Sequence, residues 1–222
     1  MKDNIERRLE EILESKTKPC SRSEWLDVVN CSEEPLYDYR LDHTRRVVKL
    51  AKMIAHTMNG DMQIVTLAAW LHDIAKPGVS NVQEHGAKSA EIAGDILESQ
   101  GYDRTIIDRV KDTIRKHVGL TLEAQLYPIE AQILWEADKL DKLGIVGYIH
   151  GIINSTRMDV GKRIEDIAKF LREFFPLGKQ IVESMYTPLG KHIAQERFNH
   201  MKEFSSRLDL EITVHHGEEI TE

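Results

Sequence analysis

The sequence predicts an all-α protein, and three observations carry that prediction. Apolar residues recur at helical spacing through most of the chain. Helix caps and stops fall at the ends of those stretches. No run alternates apolar and polar residues between hairpin turns, and the one Asn-Gly pair separates two helical patterns.

The elements follow in order. Ile5, Leu9, Ile12 and Leu13 make an amphipathic first helix. A segment with Ser, Pro and Cys comes next, with a short helical stretch near Trp25 to Val29. From about Thr44, the residues Val47, Val48, Leu50, Ala51, Ile54, Ala55 and Met58 mark a helix that Asn59-Gly60 stops. Asp61 reads as the N-cap of a nearly all-apolar helix, Ile64 to Ala75, which Pro77-Gly78 ends. A helix apolar on every side belongs in the centre of a fold. Gly86 to Ser99 forms the next helix, closed by Gln100-Gly101. Asp103 caps another that runs to His117 and stops at Gly119. Further helices are expected over about Ile129 to Leu143, Ile145 to Ile153, Val160 to Phe174 and Thr187 to Leu208. The end of the chain from Thr213 is polar and is expected to fray.

Composition narrows the class. The chain has 222 residues, 41% hydrophobic and 30% charged, which is globular and large enough to bury a core without staples. A length of this order suggests one domain, expected here over residues 1–212 with a tail at 213–222. The net charge of −7 argues against nucleic-acid polymers and anionic membranes as partners. Cys20 and Cys31 make neither a disulfide framework nor a CxxC metal site, and read as reduced thiols. The N-terminus is interrupted by charges, so it is no signal or transit peptide, and no apolar run approaches the ~18 residues of a membrane span. A cytoplasmic protein is the expectation. Ten histidines are what stands out.

The pair His72-Asp73 is informative through its position. It lies near the end of the most apolar helix, in LAAWLHDIAKPG. Burying two ionisable groups there without partners would cost several kcal/mol. A metal ion is the simplest partner, because it takes neutral imidazole and ionised carboxylate. The same logic recurs at His43, which precedes an apolar helix, at His85, which starts one, at His117, which ends one, and at Asp138 within ILWEADKL. Helix ends and buried faces are where ligands from separate helices converge. Six N/O ligands without cysteine suit Fe, Mn, Zn, Co or Mg. Six also exceed what one catalytic ion would leave open, so two divalent ions sharing a carboxylate are expected.

These residues resemble the HD-domain superfamily of metal-dependent phosphohydrolases. The matching pieces are DHTRRVVKLA around His43, AAWLHDIAKPG around His72-Asp73, EHGAKSAEIA around His85, IRKHVG around His117 and EADKLDKLG around Asp138. The resemblance covers about residues 40–145 and implies that the helices of 146–212 pack on that core. His43, His72, Asp73 and Asp138 match the minimal signature. His85 and His117 match the subset with a binuclear centre; the alternative for both is a supporting or substrate-contacting role around one ion. No Gly-Tyr-Pro signature is present, so the cyclic-di-GMP phosphodiesterase branch is not assigned.

Two divalent ions among four neutral His and two Asp give a local charge of about +2 inside an acidic chain. Such a pocket draws a small anion such as a phosphorylated metabolite or nucleotide, and disfavours a polyanion. The expected chemistry is phosphate-ester hydrolysis by a metal-activated hydroxide attacking in line, with Asp73 and Lys76 in catalytic positions. Lys76 matches the lysine of HD-x-x-K motifs and is expected to contact phosphate; otherwise it offsets a helix dipole. Glu84 could orient a ligand or relay a proton. Asp141 shares a helix face with Asp138 and could hold a histidine or act as general acid; otherwise Asp141 pairs with a neighbouring lysine. His56, His150, His192 and His200 read as packing or surface residues.

Two alternatives remain at this point. Some HD-domain enzymes use the same ligands for a di-iron oxygenase acting on an anionic small molecule, and a non-catalytic nucleotide sensor is the third class. The amphipathic first helix leaves packing within the chain and across a homo-oligomer both open.

Overall fold

The computed structural model describes residues 2–25, 37–76, 84–122, 124–157 and 163–213. Among them are ten α-helices and no strand. These are α1 (Lys2–Trp25), α2 (Tyr39–Met58), α3 (Met62–Leu71), α4 (His85–Ser99), α5 (Arg104–Lys116), α6 (Ile129–Leu140), α7 (Gly144–Arg157), α8 (Ile164–Glu173), α9 (Phe175–Glu183) and α10 (Pro188–Thr213). They fall into two compact units, Met1–Asp138 and Lys139–Glu222. The expected all-α class is what the structure shows.

In the first unit α3 is the hub, and α1, α2, α4 and α5 all pack on it. Every residue from Ile64 to Leu71 is buried, as the all-round apolar pattern requires. Local chemistry sets its ends. The Asp61 carboxylate accepts from the backbone N–H groups of Gln63 and Ile64, at 3.1 and 3.3 Å. Just before it, Asn59 closes α2 in the left-handed region with φ 52°, and the Gly60 N–H donates to the Ala55 carbonyl. The Asp103 carboxylate caps α5 through the Ile106 N–H. The Glu130 side chain of α6 accepts from the Asp61 N–H at 3.0 Å, and Trp135 donates to the Gly119 carbonyl at 3.0 Å.

Several boundaries differ from the sequence reading, among them α7 and α10, which run on to Arg157 and Thr213, and three differences lie in the first unit's α1, α2 and α3. First, α1 runs on to Trp25 through Pro19, where a Ser/Pro/Cys connection was expected. Proline inside a helix costs ~3 kcal/mol. Here the buried line of Leu9, Leu13, Thr17 and Ser21 continues at four-residue spacing past it. The Thr17 and Ser21 hydroxyls both donate to Asp38, at 2.6 and 2.9 Å. Second, α2 starts at Tyr39, earlier than Thr44, because that same Asp38 carboxylate also accepts from the Leu41 N–H. Third, α3 ends at Leu71. The chain then tightens: the Ile74 N–H donates to Leu71 and the Lys76 N–H to Asp73, both three residues back.

Asp38 therefore fastens α1 to the start of α2. Asp38→Ala is expected to lower unfolding stability by about 2–4 kcal/mol, from a lost cap and two buried hydroxyls left without an acceptor. Chemical denaturation checks this.

In the second unit, α7, α8, α9 and α10 pack together. Tyr148 is its aromatic centre: its hydroxyl donates to the Leu171 carbonyl at 3.2 Å, and its ring meets Phe204 edge-on at 5.8 Å. Arg197 of α10 donates to the Leu140 carbonyl at 2.6 Å. Helix α9 was absent from the sequence reading. It is nine residues long, holds Pro176 and Gly178, and buries little besides Ile181, so its apolar period is too short to detect. The helical stretch expected at 26–29, Cys31, His215, His216 and the rest of the tail lie outside the described residues.

Candidate metal centre

The site is built from helix ends in the first unit. His43 sits in the second turn of α2, His72 caps the end of α3 with Asp73 next to it, His85 opens α4, His117 closes α5, and Asp138 lies in the last turn of α6. All six are buried, none more than 8% exposed. His43 is thus inside its helix and not ahead of it, because α2 begins one turn earlier than the apolar pattern suggested.

Asp73 is the centre of the cluster. Its Oδ2 lies 3.5 Å from His72 Nε2 and 3.8 Å from His43 Nε2. Its Oδ1 lies 3.3 Å from His85 Nε2 and 3.5 Å from His117 Nε2. Asp138 Oδ1 approaches His43 Nε2 at 3.2 Å. The His85 and His117 Nε2 atoms are 3.1 Å apart. Two groups with metal-ligand geometry result, His43/His72/Asp73 and Asp73/His85/His117, and they share Asp73.

The backbone sets the imidazole tautomers. The last turn of a helix leaves carbonyls without intrahelical donors. His72 Nδ1 sits 2.8 Å from the Ala69 carbonyl, and His117 Nδ1 sits 2.6 Å from that of Ile114. A carbonyl only accepts, so both rings carry their proton on Nδ1 and turn an Nε2 lone pair towards Asp73.

The charge states follow from burial and neighbours. Burial chiefly drives the His72 pKa down to about 3, against the pull of Asp73 and Asp138, so the ring is neutral. Burial would raise Asp73. The Lys76 ammonium, the largest opposing influence, outweighs it and holds the carboxyl well below the ordinary range. Burial would likewise lower Lys76, but Asp73 and then Asp138 lift it above its ordinary value. Lys76 Nζ lies 2.7 Å from Asp73 Oδ2, with its side chain 38% exposed, so it joins the cluster to solvent.

These residues fit a divalent metal. Among the described residues His72 Nε2 and Asp73 Oδ1 are buried without a hydrogen bond. A lone pair and a carboxylate oxygen in that state cost free energy unless a cation takes them. The donors are neutral imidazole and ionised carboxylate, which is what metal binding requires.

Of the other candidates, Glu84 is at the N-cap of α4, more than half exposed, with Lys88 Nζ at 3.0 Å. Asp141 is buried and belongs to the second unit. Two supporting residues escaped the sequence reading. Asp38 anchors the helix that carries His43, and its signal was an acid three residues ahead of Leu41. The Ser89 hydroxyl accepts from the Ala75 N–H at 3.1 Å, bracing the turn that holds Asp73 and Lys76. Nothing in the sequence marks that contact, which joins the turn after α3 to α4.

Comparison with known proteins gives the same segment. The HD-domain family model matches residues 40–143. The tRNA (cytidine(56)-2'-O)-methyltransferase of Thermoplasma volcanium is 30% identical over 151 residues, 60% of this chain and 42% of that protein. The chain thus spans less than half the length of that relative. YpgQ of Bacillus subtilis is 23% identical over 190 residues, 85% of this chain and 90% of YpgQ. A crystal structure of YpgQ in complex with ADP superposes with a TM-score of 0.60 at 24% identity, covering 78% of this chain and 88% of that one. An HD-superfamily hydrolase from Bacillus thuringiensis superposes with a TM-score of 0.63 at 22% identity, covering 93% and 97%. The structural matches establish the fold. No helix among the described residues is long and apolar enough to cross a membrane. The whole His/Asp cluster, from His43 to Asp138, lies inside the segment that matches the HD-domain family model.

Proposed function

We propose that this chain is a metal-dependent phosphohydrolase that cleaves a phosphate ester of a small anionic molecule, a nucleotide being the leading class. The observation that carries the reading is the divided Asp73 carboxylate. One oxygen faces His43 and His72, the other faces His85 and His117. His43, His72 and Asp73, with Asp138 beside His43, would hold one ion, and Asp73, His85 and His117 would hold a second. Divalent ions held there would supply Lewis acidity to phosphoryl oxygens and lower the pKa of water.

The protein's own groups divide the remaining work. The backbone carbonyls of Ala69 and Ile114 fix the two imidazoles before any ligand arrives. Lys76 stands at the solvent side of Asp73 and is charged, so it can hold a phosphoryl oxygen as negative charge develops. Burial keeps bulk water from screening these interactions. The ADP bound by YpgQ, a protein of the same fold, supports a nucleotide-sized anion.

The test is a panel of nucleotides and sugar phosphates given to protein loaded with Mn, Fe, Co, Zn or Mg, following phosphate release and oxygen uptake together. Phosphate release without oxygen consumption is the expected result. EDTA is expected to abolish it, and the same ion to restore it. Oxygen uptake without phosphate release would favour the di-iron oxygenase instead. Neither reaction, with nucleotide binding retained, would favour a sensor.

A further inference from the structure

A second concavity lies at the other end of α3. It measures about 810 Å³ and is formed by the first turns of α1, Lys52 of α2, the start of α3 and the turn joining α4 to α5. At about 1.5 Å per residue, Met62 at its edge stands about 15 Å along the helix from His72. None of its lining residues belongs to the His/Asp cluster.

The wall is chemically mixed. Arg8, Lys52 and Glu6 are its charged groups. Lys52 and Glu6 balance each other, at 2.7 Å. Arg8 makes no ion pair or hydrogen bond among the described residues, which leaves one positive charge uncommitted in an acidic chain. The Gln63 side-chain amide and the Tyr102 hydroxyl are likewise without hydrogen-bond partners there. Burial raises the Tyr102 pKa, so its phenol stays neutral and offers a ring face with a polar tip. Ile5, Met62 and Leu67 supply apolar surface.

A ligand matching this wall carries one anionic group for Arg8, a flat body for the Tyr102 ring, and donor and acceptor edges for the Gln63 and Gln100 amides. The volume lies within the range of small-molecule sites. We propose that this cavity is a second small-molecule site, taking a flat organic anion of the nucleoside monophosphate class. It is independent of the reaction assigned to the metal centre.

The cavity is also linked to a buried tryptophan. Glu6 Oε1 takes Lys52, while Glu6 Oε2 accepts from Trp70 Nε1 at 3.2 Å. Trp70 is buried, two residues ahead of His72. An anion entering beside Lys52 competes with Glu6 for it and alters the hydrogen bond to the indole. Trp70 fluorescence is therefore a reporter of occupancy.

The experiment titrates metal-free protein with AMP, read by tryptophan fluorescence and calorimetry, with adenosine and inorganic phosphate as comparators. One saturable AMP equivalent is expected, with each comparator at least tenfold weaker. Arg8→Glu and Tyr102→Ala should each weaken AMP at least tenfold. Lys76→Met should leave that binding unchanged, which separates it from the metal centre. An absence of saturable AMP binding overturns the proposal. So does binding that survives Arg8→Glu unaltered, whether or not Lys76→Met removes it.

Discussion

Asp73→Ala is expected to empty both metal positions at once, while His43→Ala or His85→Ala each weakens one. The asymmetry follows from geometry. Each histidine faces one oxygen of Asp73, but Asp73 faces all four histidines. Removing it takes a ligand from both groups and leaves four neutral imidazoles, which cannot cancel the charge of two dications. Purified Asp73→Ala should fall from about two ions per chain to near none, and Asp73→Asn should behave alike. Phosphate release should drop by at least ~10²–10³-fold, the usual loss when a principal electrostatic element is removed. Elemental analysis beside the rate assay checks both. An Asp73→Ala protein that keeps one ion at full occupancy would mean that the two groups do not share this carboxylate.

Lys76→Met is the second large effect, and it should separate rate from metal content. In the metal-free protein Lys76 offsets the charge of Asp73. Bound ions take over that role, so the loaded variant is expected to keep its metals. What it loses is a charged donor at the open side of the cluster. A fall of about 10²-fold in kcat is expected, with ion content unchanged. If Lys76 served only to offset the dipole of α3, the variant would lose ~1 kcal/mol of stability or less and keep its rate. Steady-state kinetics together with a melting curve distinguish the two.

The central helix and its neighbours were legible because their signals are local. Asp61, Asp103 and Asn59-Gly60 act within three or four residues of themselves, and the structure places each at the end that it marks. The candidate ligands were legible because a buried ionisable group on an apolar helix needs a partner, and the helix ends bring His43, His72, Asp73, His85, His117 and Asp138 together. What escaped was set by contacts distant in sequence. Pro19 argues for a break in α1, and the Thr17 and Ser21 hydroxyls that meet Asp38, 21 and 17 residues further on, help to hold the helix past it. Ser89 supports the Asp73 turn through a single hydrogen bond to Ala75. Helix α9 has too few buried residues to show a period. Histidine count alone was no guide, since His192 lies on the surface beside Glu196.

The proposed reaction depends on two ions divided by one carboxylate. A crystal structure of the Mn-loaded protein with anomalous differences collected at the manganese edge tests that most directly. Two anomalous peaks about 3.5–4 Å apart are expected, one among His43, His72 and Asp138, the other between His85 and His117, with Asp73 touching both. A single peak with His85 and His117 outside its coordination sphere would contradict it.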